Sequence, residues 1–114
     1  MADAMIAEYR SWLADNRRRS AHSVRAYVAT AVRLCDFLSE HLGQAIDRPA
    51  LTKLTAADLR AFLASRRGDG LANRSTAREL SAVRNFLRFA LGDDAAIPAL
   101  KGPRVQRSLP RPVD

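Results

Sequence analysis

The chain has 114 residues, 47% of them hydrophobic, with a formal net charge of +7 and a pI near 11.0. That length suits one domain with a modest core, and no apolar run approaches a membrane span. The single cysteine, Cys35, excludes a disulfide framework and a cysteine-based zinc site within one chain.

A basic domain of this size favours a polyanionic partner. Seventeen of the 19 basic residues are Arg, and only Lys53 and Lys101 are Lys. Arg adds a planar fork suited to phosphate and to guanine edges, although a GC-rich genome also favours Arg codons. An anionic membrane surface fits less well, because the helices read as core-forming rather than as freestanding anchors. The N-terminus MADAMIAEYRSW carries acidic residues and no long apolar region, so this stretch is not expected to act as a secretory signal. A reducing cytoplasm is the expected compartment.

A first helix is expected over residues 3–15, where Met5, Ile6, Tyr9, Trp12 and Leu13 follow the spacing of a buried stripe. Asp3 complements the helix dipole at its start. Tyr9 and Trp12 share the stripe with Ile6 and Leu13 and read as packing residues rather than base-stacking ones. Asn16-Arg17-Arg18-Arg19 then forms a loop of three consecutive cations before an N-cap at Ser20. Cations beside a helix N-terminus suit a phosphate; the alternative is a solvated linker.

The second helix is expected over residues 20–42, closed by Gly43. Val24, Tyr27, Val28, Ala31, Leu34, Cys35 and Leu38 form its apolar stripe, with Cys35 as a small core residue. His22, Arg25, Ala29, Arg33, Asp36 and Glu40 lie opposite. The N-terminal half is basic and the C-terminal half acidic, so only the first half suits a polyanion. His22 has no companion at metal-ligand spacing and reads as an exposed or phosphate-contacting residue. His41 sits where the helix dipole favours a cation.

Residues 44–54 read as a loop broken by Pro49. Thr55-Ala56-Ala57-Asp58 resembles a capping box, opening a third helix that turns Leu59, Phe62 and Leu63 inward and ends near Arg66-Arg67. Gly68-Asp69-Gly70 is a turn signal. A fourth helix starts at Asn73 or Ser75 and ends at Gly92-Asp93-Asp94. At 100° per residue, Thr76, Leu80, Val83, Leu87 and Ala90 share one face, widened by Phe86 and Leu91. Arg78, Ser81, Arg84, Asn85 and Arg88 occupy the other. That face suits a nucleic acid, where cations meet phosphates and Arg or Asn can address base edges. It equally suits a solvated amphipathic helix whose arginines only maintain solubility.

From Ala95 the composition shifts to AAIPALKGPRVQRSLPRPVD, with Pro98, Pro103, Pro110 and Pro112 among several cations. It reads as an extended linker, with Ile97 and Leu100 able to fold back on the bundle, and suggests a piece of something larger. No GxGxxG, Walker-type loop, HExxH or CxxC occurs. Two histidines and one cysteine, without carboxylates paired in a cleft, leave little from which to build a catalytic centre.

Three features resemble the N-terminal core-binding domain of Xer-type tyrosine recombinases in the phage-integrase family. Ser20-x-x-Ser23-x-x-x-Tyr27, with Leu34 and Phe37-Leu38, is similar to that family's S-x-x-T-x-x-x-Y…L-x-x-F helix. Gly70-Leu71, Ser75 and Arg78-x-Leu80-Ser81-Ala82-Val83-Arg84-x-Phe86 are similar to its G-L…S…R-x-L-S-A-L/V-R-x-F/L helix. Pro103-Arg104…Leu109-Pro110 is similar to its proline-rich connector. Position 23 holds Ser where Thr is common, and Arg18 and Arg19 stand where the family varies.

The resemblance implies an all-α, compact four-helix SAM-like bundle over residues 1–94 and a linker over 95–114 leading to a catalytic domain the chain lacks. It implies a clamp on duplex DNA, with the second and fourth helices approaching the major groove, and sister recombinase protomers as partners. The Tyr nucleophile and the catalytic Arg, Lys and His belong to the missing domain, so no catalytic residue, metal, cofactor or small-molecule ligand is expected. Tyr9 and Tyr27 lie on core stripes and do not stand in for that nucleophile.

The DNA-contact candidates are Arg17, Arg18, Arg19, His22, Ser23, Arg25, Arg74, Ser75, Arg78, Ser81, Arg84 and Asn85. Arg17–Arg19, Arg74 and Arg104 are expected on phosphates, and Arg25, Arg78 and Asn85 on base edges. The main alternative is a helical protein-interaction module whose first helix packs against a neighbouring protomer. A stand-alone helix-turn-helix regulator fits less well, because the second and third helices are far apart in sequence. An autonomous nuclease lacks catalytic groups.

Overall fold

The computed structural model describes residues 2–16, 20–92 and 97–98. The Arg17–Arg19 loop, Asp93-Asp94, Leu100 and the linker motif from Pro103 to Pro110 lie outside the described residues. Among the described residues five helices follow one another: α1 (Asp3–Asn16), α2 (Ala21–Leu42), α3 (Arg48–Thr52), α4 (Ala56–Gly68) and α5 (Asn73–Leu91). The all-α expectation holds, with one more helix than the sequence reading gave.

Local chemistry sets the ends. Ser20 caps α2, its Oγ accepting from the Ser23 N–H at 3.1 Å. Gly43 closes α2 at φ 69°, a left-handed conformation that costs an L side chain about 1 kcal/mol or more. The capping box on α4 is complete: Thr55 Oγ1 accepts from the Asp58 N–H at 3.2 Å, and Asp58 Oδ2 accepts from the Thr55 N–H at 3.0 Å. Asp58 also lies 3.3 Å from His41 Nε2, and the His41 ring stacks on Phe37. His41 is therefore held by a specific carboxylate and ring, beyond any dipole effect.

Three boundaries differ from expectation. The 44–54 segment contains α3, because Asp47 accepts from the Ala50 N–H at 2.9 Å and Pro49 occupies the first turn, where its fixed φ is compatible with a helix. Burial of Ala50 and Leu51 then holds this short turn in place. Helix α4 ends near Arg66-Arg67 as expected but takes in Gly68, which the sequence assigns to the following turn. Helix α5 is preceded by Ala72 rather than capped by Asn73 or Ser75; Thr76, fully buried, donates its hydroxyl to the Ala72 carbonyl at 2.9 Å.

Helix α5 packs against each of the other four helices. Its stripe of Thr76, Leu80, Val83, Phe86, Leu87 and Ala90 is buried, together with Tyr9 and Leu13 of α1, Leu34 and Leu38 of α2, and Leu59 and Phe62 of α4. Each large apolar side chain buried in this way contributes about 1.5–3 kcal/mol. Arg48 of α3 joins the far end: its Nε donates to the Ala90 carbonyl at 3.0 Å, and its Nη2 lies 3.1 Å from Glu8 of α1. The guanidinium thereby satisfies one of the open carbonyls of the last turn of α5. Cys35 is buried, and its thiol pKa is pushed up to about 11 by burial and by the neighbouring Asp36 charge. Ile97 packs partly buried against the core. No described helix is long and apolar enough to cross a membrane.

Candidate nucleic-acid interface

Helices α2 and α5 pack side by side, and between them runs an open groove of about 500 Å³. Its small apolar surface comes from Ala26 and Ala29 of α2, Ala82 of α5 and Leu71 of the preceding turn. Ser75, Arg78 and Ser81 line its α5 side, and Tyr27 its α2 side. The floor is small because α2 turns alanines toward α5, while its larger residues Val28, Leu34 and Leu38 enter the core.

The candidate contacts among the described residues fall into four sets. Ser75, Arg78 and Ser81 meet on the groove, with Arg78 and Ser81 exposed and Ser75 half-buried. His22 and Arg25 are exposed on the first turns of α2, and Arg74 is exposed at the start of α5. The Ser23 N–H donates to the Ser20 Oγ and the Ser23 Oγ accepts from the Ser20 hydroxyl, which leaves the Ser23 O–H as a donor. Arg84 and Asn85 are half-buried. Asn85 Oδ1 accepts a hydrogen bond from the Tyr9 hydroxyl of α1, which leaves its Nδ2 and one carbonyl lone pair for other partners.

The groove also contains a feature missed by the sequence reading. Glu79 of α5 is only 6% exposed and accepts from three side chains on two other helices. Arg33 grips it bidentately at 3.1 and 2.9 Å, Arg66 Nε reaches it at 2.8 Å, and the Thr30 hydroxyl donates to it at 3.1 Å. Burial alone would raise the Glu79 pKa. The bond and charge of Arg33, the charge of Arg66 and the Thr30 bond outweigh burial and hold the carboxyl below its ordinary range. Arg33, expected on the solvent side of α2, instead turns to this carboxylate. A helical plot contains the clue: Glu79 falls beside Ala90 at the edge of the apolar face. Among the described residues, no group of three or more His, Cys, Asp and Glu is placed to hold a metal.

The five-helix bundle and its α2–α5 groove define a small SAM-like helical module. Residues 6–93 match the family described as phage integrase, N-terminal SAM-like domain. The chain belongs to that family, and the relatives it resembles are tyrosine recombinases of the Xer type. It is similar to the tyrosine recombinase XerC of Bradyrhizobium diazoefficiens, at 38% identity over 98% of the chain and 37% of the relative. A tyrosine recombinase XerC of Methylobacterium nodulans is 40% identical over 90% of the chain and 34% of its own length. That of Nitrobacter winogradskyi is 32% identical over 95% of the chain and 35% of its own length. The chain thus spans about a third of these curated relatives. No solved structure matches it significantly.

Proposed function

We propose that the chain is the DNA-binding module of a site-specific tyrosine recombinase, docking α2 and α5 on the major groove of a recombination half-site. The observation that carries this reading is the groove itself. Arg78, Ser75 and Ser81 line it, and Arg25 and Arg74 stand exposed on the same two helices, in a domain of net charge +7. Cations supply sequence-independent attraction to phosphate, while Arg and Asn can address base edges.

In this reading Arg74, Arg17, Arg18, Arg19 and Arg104 set position on phosphates. Arg25 and Arg78 address base edges, with Asn85 contributing through the groups that Tyr9 leaves available. His22, Ser23, Ser81 and Arg84 complete the contact surface. Double-stranded DNA and sister protomers are the partners, and the cytoplasm is the compartment. Strand cleavage belongs to a separate catalytic domain, and this chain performs none by itself.

The direct test is a titration of the isotopically labelled chain with a half-site duplex, followed through backbone amide shifts. The expected result is perturbation of the first half of α2 and the exposed face of α5. Perturbation confined to α1, α3 and α4 contradicts the docking geometry. A protein-interaction reading draws on Trp12 and Phe89, half-buried side by side with ring centroids 5.5 Å apart. A stoichiometric dimer without salt-sensitive DNA affinity would favour it.

A further inference from the structure

Among the described residues Glu79 is the one buried charged side chain, and it lies at the groove of a strongly basic domain. Its position is unusual for a DNA-facing surface, where a carboxylate repels phosphate. The carboxylate engages two arginines that line the same groove, Arg33 from α2 and Arg66 from α4. Arg66 is held further by Asp69 at 3.5 Å, and Arg33 Nη2 also donates to Thr30 at 3.1 Å. Both guanidinium groups are therefore oriented inward by bidentate or charge-assisted bonds, the stronger class of protein hydrogen bond.

Two consequences follow from the geometry. The cations that the groove could offer to phosphate are reduced to those outside this cluster, Arg78 among them. Glu79 also ties α5 to α2 and α4 one residue away from Arg78, fixing the rotation of α5 at the point where Arg78 leaves it. We propose that Glu79 is a positioning residue for the DNA interface: it withholds Arg33 and Arg66 from phosphate and holds α5 in the register that presents Ser75 and Arg78 to the groove. This rests on the DNA-docking reading above and assigns a residue that does not itself touch the nucleic acid.

Glu79→Gln preserves the shape and one acceptor oxygen but removes the charge. Arg33 then loses its carboxylate partner and Arg66 keeps only Asp69 at 3.5 Å, so phosphate becomes the available counter-ion for the pair. Each new phosphate contact steepens the dependence of log affinity on log salt by about 0.9. Because phosphate contacts carry no sequence information, affinity for unrelated DNA gains most.

The experiment measures binding of wild type, Glu79→Gln and Arg33→Gln to a half-site duplex and a scrambled duplex across a salt series. For Glu79→Gln the expected result is a slope steeper by about 0.9–1.8, tighter binding to the scrambled duplex, and a half-site preference that falls toward one. For Arg33→Gln the slope is expected to equal that of wild type, because Arg33 is already withheld. A merely structural role for Glu79 would lower thermal stability without steepening the slope. An unchanged or shallower Glu79→Gln slope therefore overturns the inference. If Glu79→Gln does not fold, Arg33→Gln decides: a slope shallower by about 0.9 identifies Arg33 as a phosphate contact and overturns it, and an unchanged slope supports it. A wild-type chain that binds neither duplex removes the DNA reading and the inference together. Wild-type binding with an unaltered Glu79→Gln slope removes the inference alone.

Discussion

The hydroxyl of Tyr9 on α1 donates to the carboxamide oxygen of Asn85 on α5, a bond spanning 76 positions of sequence. Tyr9 is fully buried, with its ring edge-on to Phe86 at 5.0 Å and tilted against Phe89 at 5.2 Å. The aromatic cluster thus fixes a polar side chain on the helix proposed to meet DNA. Tyr9→Phe is expected to lower folding stability by about 1 kcal/mol, the net worth of such a bond. A double-mutant cycle with Asn85→Ala, read by urea unfolding, is expected to show coupling between the two positions. Strictly additive effects would separate Asn85 from the packing of α1.

Arg78 is the exposed groove residue best placed to test base readout. Arg78→Ala is expected to weaken binding to a half-site by about 1–3 kcal/mol if it contacts a base bidentately. The loss on a scrambled duplex should be smaller. Equal losses on both would reduce Arg78 to a phosphate contact, and unchanged affinity with the fold intact would remove it from the interface.

The buried Cys35 thiol, with its pKa pushed up to about 11, is almost entirely protonated at neutral pH. The thiolate is the reactive form, so alkylation in the native state should be slow and should proceed through opening of the bundle. Adding urea is expected to accelerate labelling in proportion to the unfolded population. Rapid labelling in the absence of denaturant would contradict the placement of Cys35.

Glu79 and Asp58 both have folded-state pKa values below their ordinary range. For Asp58 the main cause is the Thr55 backbone bond, which outweighs burial and is joined by the Thr55 and His41 side chains. Glu79 is lowered by Arg33, Arg66 and Thr30 against the opposing effect of burial. Carboxylates depressed by folding stabilise the native state fully above their unfolded pKa values, about 4. That contribution is lost as pH falls through the lower folded values. Stability should therefore drop below about pH 4, and Glu79→Gln should flatten the drop. An acid limb identical in the variant would show that Glu79 does not titrate with unfolding.

Much of this architecture is written locally in the chain. Ser20, Gly43 and the Thr55–Asp58 pair mark helix ends because each satisfies a backbone group within a few residues. The stripes of α2 and α5 are legible because apolar side chains recur at helical spacing over five or more turns. Helix α3 is not legible in this way. Its five residues are too few to show a period, and Pro49 reads as a breaker unless Asp47 is seen to cap the turn before it.

The candidate interface divides along the same line. Exposed cations on α2 and α5 follow from periodicity alone. The partnership of Glu79 with Arg33 and Arg66 does not, because it needs three helices in place before the carboxylate finds its cations. Arg33 illustrates the limit of a helical plot. A long side chain at the edge of a polar face can turn toward a buried charge as readily as toward water.

The most direct test of the central claim is fluorescence anisotropy of this chain with a recombination-type half-site duplex and a scrambled duplex across a salt series. The account predicts tighter binding to the half-site and an affinity that falls by about 0.9 log units per phosphate contact for each tenfold rise in salt. No binding to either duplex at low salt would contradict it.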